Sequence, residues 1–123
     1  MTEVTPEQMI IYREGARRRR LRERQKLARR QERALALARR AAALLREDFG
    51  AKRVVLFGSL VRGGVFDLRS DVDLAVWGLD ERKYLRALAR LLDLDPTIEI
   101  DLVIAENASP TFLATIEQEG IPL

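Results

Sequence analysis

Residues 16–48 are drawn almost wholly from Ala, Leu, Arg, Glu, Gln and Lys, the side chains that lose least on entering a helix. No glycine, proline or β-branched residue interrupts them, so a helix is the regular element this stretch favours. Upstream, Thr5-Pro6-Glu7-Gln8 offers an N-cap, a proline at the first helical position and a Gln three residues after the cap. Downstream, Gly50 after Phe49 is a helix stop. Helical throughout, residues 7–48 would span about 60 Å at ~1.5 Å per residue, roughly twice the width of a small domain. Either Gly15 or the Arg run breaks such a helix, or its N-terminal portion projects. The apolar stripe says which part packs. Leu35, Ala38, Ala42, Leu45 and Phe49 recur at helical spacing, whereas Leu21, Arg24, Ala28 and Gln31 do not continue it. Residues 34–48 are expected on the body and the rest partly exposed.

Charge divides the chain in the same way. Residues 1–50 hold 14 Lys/Arg and 7 Asp/Glu, a net of +7, and residues 51–123 hold 8 and 12, a net of −4. A basic arm on an acidic body needs two explanations. For the segment "RRRRLRERQKLARRQER", three open: a solvated helical face, contact with nucleic-acid phosphates, or docking on an acidic partner protein. A membrane-surface helix fits less well, because the segment lacks a strong apolar face.

The absence of Cys and His removes disulfides, thiolate nucleophiles and imidazole chemistry. Any chemistry must run on carboxylates, hydroxyls, Lys/Arg and a borrowed metal ion. The opening "MTEVTPEQMI" lacks the basic and apolar regions of a signal peptide, and no apolar run approaches membrane length. A cytoplasmic protein without membrane contact is the expectation.

After residue 50 the periodicity changes. Lys52 to Phe57 is a short strand closed by Gly58, residues 59–62 form a helical turn, and Gly63-Gly64 end it. Asp71 to Trp77 is a second strand stopped by Gly78. Asp80 caps a helix over 81–92 with Leu85, Leu88 and Leu92 on one face. Ile98 to Ile104 alternates as a third strand. Ser109-Pro110 opens a last helix ended by Gly120, and Ile121-Pro122-Leu123 form an edge strand or tail. At 123 residues this is one α/β fold, a small mixed sheet flanked by helices behind a long basic N-terminal helix.

The chemistry concentrates in "VVLFGSLVRGGVFDLRSDVDLAVWG", residues 54–78. In a strand, positions i and i+2 share a face, so Asp71 and Asp73 project together. Two like charges that close call for a neutralising cation, and Mg²⁺ is commonly held by one or two carboxylates plus substrate phosphates. Asp101, on the polar face of the third strand, can aim at the same place. Three carboxylates from neighbouring strands suit a two-metal phosphoryl-transfer site. Gly58 permits close backbone approach, Ser59 opens a turn whose amides can meet an anion, and Arg62 stands one turn on.

These residues resemble the nucleotidyltransferase superfamily that includes DNA polymerase β. "GS-x-x-RG", an eleven-residue spacer (60–70), "DVDLAV" and an acid within "IEIDLVI" carry the likeness, which covers about residues 34–119. Its small size points to the minimal nucleotidyltransferases. The resemblance implies a nucleotidyltransferase fold over residues 34–123, with residues 1–33 as a basic helical extension. It implies transfer of a nucleoside monophosphate from a Mg²⁺-bound triphosphate to a hydroxyl, with ATP as substrate and two Mg²⁺ ions. Gly58, Ser59 and Arg62 would hold the triphosphate, Asp71 and Asp73 both metals, and Asp101 the catalytic one. Stand-alone members resemble antitoxins of HEPN-domain toxins, some of which transfer AMP to a partner tyrosine. Alternatives are a binding module that neutralises its partner without catalysis, and a small-molecule nucleotidyltransferase. The spacer is longer than is usual in AMP-transferring members, and Leu60-Val61 replaces a small residue before Arg62.

Bland readings stand beside these. Glu99 and Arg62 can be solvated or surface-paired, Trp77 is simplest as core or an interface anchor, and Lys83 and Tyr84 could line a nucleotide pocket.

Overall fold

The computed structural model describes residues 3–62 and 72–123. Helix α1 runs unbroken over Pro6–Phe49, 44 residues or about 66 Å. Neither Gly15 nor the Arg run interrupts it. The Thr5 side chain accepts from the Gln8 amide at 3.1 Å, and the Gln8 side chain accepts from the Thr5 amide at 2.9 Å, which closes the expected capping box. At the other end Gly50 sits at φ +71°, and its amide and that of Ala51 bond back to Arg46 and Leu45 carbonyls. A left-handed cap of this kind favours glycine.

The sheet has four strands in the order β3-β2-β1-β4, with β1 Arg53–Phe57, β2 Val72–Trp77, β3 Ile100–Ile104 and β4 Ile121–Pro122. β1 pairs antiparallel with β2 and β4, and β2 pairs parallel with β3. The parallel pair requires a crossover, which α3 (Tyr84–Leu92) supplies. The short α2 (Ser59–Arg62) follows β1, and α4 (Pro110–Glu119), with Ser109 accepting from Phe112 N, precedes β4.

Strand alternation sorts the residues into two layers. Val54, Leu56, Val72, Leu74, Val76, Ile100 and Leu102 pack with α1 and α3 in the main core. On α1 the buried set is Ala34, Leu37, Ala38, Ala41, Ala42, Leu45 and Phe49. The many alanines let the helix axis lie close to the sheet. Upstream of residue 34 the helix leaves the body, as expected. The opposite sheet face is covered more thinly: Val55, Ala75 and Ile116 are buried there, with Phe57 and Trp77 packed alongside. Phe57 meets Phe112 of α4 edge-to-face at 5.6 Å between ring centroids.

Two expectations need correcting. Residues 81–83 form a 3-10 turn before α3, and the buried face of α3 is Ala87 and Leu91, with Leu88 half-buried. Leu85 is 77% exposed and Leu92 40%. Leu85, Leu88 and Leu92 share one side of α3, but the side turned into the main core is the one that carries Ala87 and Leu91. The third strand also starts late. Asp95 accepts from both the amide and hydroxyl of Thr97, a local turn that leaves Ile98 buried but outside β3. Gly63, Gly64 and Asp71 lie outside the described residues.

Candidate active site

The thinly covered sheet face carries one row of residues in direct register. Phe57 of β1 stands opposite Asp73 of β2, and Asp73 is the register partner of Asp101 of β3. The next row is Val55, Ala75 and Val103. Neighbouring strands lie about 4.8 Å apart, so the two carboxylates leave the same face side by side. Asp73 is half-buried and Asp101 exposed. Sequence alone placed Asp101 on a polar strand face; the pairing of β2 with β3 brings it beside Asp73.

β1 ends at this row and turns sharply. Gly58 has φ +84°, and a Cβ built on it would lie 2.2 Å from Oδ2 of Asp73. Glycine is therefore required twice, by backbone conformation and by the carboxylate lying against it. Ser59, half-buried, begins α2, and the amides of Val61 and Arg62 both donate to the Gly58 carbonyl at 3.1 and 3.2 Å. The turn amides left for an anion, among the described residues, are those of Ser59 and Leu60. Arg62 ends α2 and is exposed. Asp71 lies outside the described residues, among which no group of three metal-binding side chains forms.

Asp73 and Asp101 fit a hard divalent cation: the donors are carboxylate oxygens, they sit on register-paired residues, and the neighbouring Gly58 position has no room for a Cβ.

Other sequence candidates fall elsewhere. Glu99 is exposed, and its carbonyl accepts from the Val72 amide at 3.0 Å, continuing the β2–β3 ladder. Trp77 is half-buried with the Arg53 guanidinium 4.3 Å from its ring centroid. Arg53 also makes a forked pair with Glu117 of α4 at 2.6 and 2.9 Å, which holds the Arg53 pKa above and the Glu117 pKa below their ordinary values. This cluster pins α4 to the sheet. Tyr84 donates to the Leu102 carbonyl at 2.7 Å and lines a cavity of about 250 Å³ with Leu102, Val103, Ile104, Asn107 and Ala108. That volume is below the roughly 300–1,000 Å³ usual for a ligand site. Lys83 does not line it. The roles of Val103 and Asn107 there were not readable from the sequence, because the cavity forms only where the 3-10 turn Ala105–Asn107 meets α3.

The family described as "Polymerase beta, Nucleotidyltransferase" matches residues 40–123. No curated protein matches the chain. Among solved structures, a protein assigned as a minimal nucleotidyltransferase is 30% identical, with 80% of this chain and 94% of that one covered and a TM-score of 0.51. A toxin–antitoxin structure with AMP-PNP is 26% identical over 66% of this chain and 67% of the other, at a TM-score of 0.55. The tri-AMPylated Shewanella oneidensis HEPN toxin in complex with MNT antitoxin matches at 22% identity, over 72% and 70% of the two chains, with a TM-score of 0.54. The match from residue 40 to residue 123 takes in every strand of the sheet and the whole Gly58–Asp73–Asp101 corner, and on that basis the chain belongs to the Polymerase beta nucleotidyltransferase family.

Proposed function

We propose that the protein is a Mg²⁺-dependent adenylyltransferase that moves AMP from ATP to a hydroxyl of a HEPN-type toxin, a tyrosine by preference, and thereby acts as its cytoplasmic antitoxin. The observation that carries this reading is the register pairing of Asp73 with Asp101 next to the Gly58-Ser59 turn. Its support from similar proteins is the fold shared with an MNT antitoxin bound to an AMPylated HEPN toxin and with a toxin–antitoxin structure holding AMP-PNP. In this reading residues 34–123 are the catalytic body and residues 1–33 an added arm.

Asp71, Asp73 and Asp101 would hold two divalent ions, which when bound supply charge neutralisation at the phosphates and activation of the attacking oxygen. The chain's own groups do the rest. The Ser59 hydroxyl and the Ser59 and Leu60 amides grip the triphosphate, and Gly58 keeps that turn close enough to the acids to share one substrate. Arg62 meets outer phosphate oxygens. The acceptor oxygen forms a bond to the α-phosphorus while the bond to the bridging oxygen breaks, and pyrophosphate leaves. The acceptor proton goes to Asp101, more exposed than Asp73, in a chain with no histidine to take it.

The test is incubation with ATP labelled at the α-phosphate, Mg²⁺ and the HEPN-type protein encoded beside it. Label should appear on the partner, and Asp73→Asn or Asp101→Asn should reduce transfer by about 100-fold or more, as loss of a charge-stabilising group does. Chelation should abolish it. No transfer by the wild type, together with full neutralisation of the partner by both variants, would leave a non-catalytic binding module as the correct account.

A further inference from the structure

We propose that the basic segment of the projecting part of α1, residues 13–33, binds duplex DNA by lying in its major groove. This does not rest on the adenylyltransferase reading, and the family match begins only at residue 40.

Three observations on the arm carry it. First, eight of its eleven cations form two opposed stripes, with Arg19 and Arg30 falling between them and Arg33 beside the first. Arg18, Arg22, Lys26 and Arg29 follow one another at spacings of four, four and three residues, and Arg13, Arg17, Arg20 and Arg24 at four, three and four. At about 100° per residue the two stripes lie about 170° apart around the helix. Glu14, Glu23 and Glu32 fall between them, roughly 90° from either. All eight cations are exposed. Docking on an acidic protein face calls for one basic stripe. A groove with a phosphate backbone on each wall calls for two. A helix about 10–12 Å across fits the roughly 12 Å major groove of B-form DNA.

Second, residues 13–33 contain only two large apolar side chains, Leu21, which is 52% exposed, and Leu27. A protein–protein interface needs an apolar, usually aromatic, centre; the rod carries one only at its tip, where Met9, Ile10, Ile11 and Tyr12 are exposed, and not along the basic segment.

Third, the rod is aimed. Where it leaves the body, Arg33 bonds Asp95 and Thr97 at 2.9 Å each, and Arg30 donates to the Thr97 carbonyl at 3.2 Å. Beyond these contacts the arm's cations are committed, among the described residues, only to a weak Arg18–Glu14 pair at 3.7 Å and an Arg29 bond to the Gln25 carbonyl at 3.4 Å.

The experiment is fluorescence anisotropy of the full-length protein with a labelled DNA duplex of arbitrary sequence, across a salt series. With six to eight phosphates contacted, affinity should fall by about 10³-fold or more between 50 and 200 mM salt. The variants R18Q/R22Q/K26Q/R29Q and R13Q/R17Q/R20Q/R24Q should each lower the log–log salt slope by about 3.6, the contribution of four phosphates. Arg39→Gln, off both stripes and beside the body, should change nothing. Circular dichroism should show the helix retained in every variant. Three results overturn the proposal: one stripe dispensable, which is one-sided docking; equal binding to duplex RNA, whose narrow major groove excludes a helix; or polyglutamate binding as tightly as DNA, which makes the arm a receptor for acidic protein.

Discussion

At the scale of single residues, Gly58 and Gly50 make a controlled comparison. Both have positive φ, +84° and +71°, so an alanine at either strains the backbone by about 1–3 kcal/mol. Around Gly50 nothing lies within 4 Å of an added Cβ, whereas at Gly58 that Cβ would meet Asp73 Oδ2 at 2.2 Å. Both Gly50→Ala and Gly58→Ala should therefore lower the melting temperature by several degrees. Only Gly58→Ala should also cut AMP transfer, because it displaces a carboxylate of the proposed site. Equal activity in the two variants would show that the Gly58–Asp73 contact is structural and no more. The need for a glycine after an apolar run was legible in the sequence. The carboxylate it must avoid was not, since Gly58 and Asp73 meet only through antiparallel pairing of β1 with β2.

At the scale of elements, the junction of α1 with the turn at residues 95–97 has a pH signature. Asp95 accepts from the Thr97 hydroxyl and amide and from Arg33, which lowers its pKa from 3.8 to about 2. A carboxyl depressed by folding adds stability above its unfolded pKa, and that stability is lost as pH falls through the folded value. Between about pH 4 and pH 2 the protein should lose this contribution, and Asp95→Asn should lower stability at neutral pH and flatten that acid segment of the stability-against-pH curve. An unchanged curve in the variant would show that the turn does not titrate with folding. The same junction explains the misplaced start of β3: the Asp95-Pro96-Thr97 turn competes locally with extension, while the alternation of Ile98, Ile100 and Leu102 reads as strand from its first residue. On α3 the leucine spacing marks a helix, but apolar residues lie on more than one side of it, and packing against the core selects Ala87 and Leu91, a choice that spacing alone does not encode.

For the whole molecule, the prediction concerns independence. The core begins at Ala34, and no buried residue lies upstream of it among those described. Deleting residues 1–28 should remove helical circular dichroism signal in proportion to the residues lost and move the melting temperature by no more than about 2 °C. It should also abolish DNA binding and leave AMP transfer to the partner intact. A large drop in melting temperature would mean that the arm contributes to the stability of the body.

What the amino-acid sequence determined by itself is what depends on neighbours a few positions away: an unbroken helix from strong helix formers between a capping box and a glycine stop, strands from alternation, a Gly-Ser turn after a strand, and a polar face for Asp101. Only the tertiary structure decided that the long helix outruns the body instead of breaking, that Asp73 and Asp101 are register partners, and that β3 lies beside β2 with β1 beyond. Those outcomes depend on strand order and on which apolar faces bury together. Such contacts join residues some 15 to 70 positions apart, and local spacing carries no record of them.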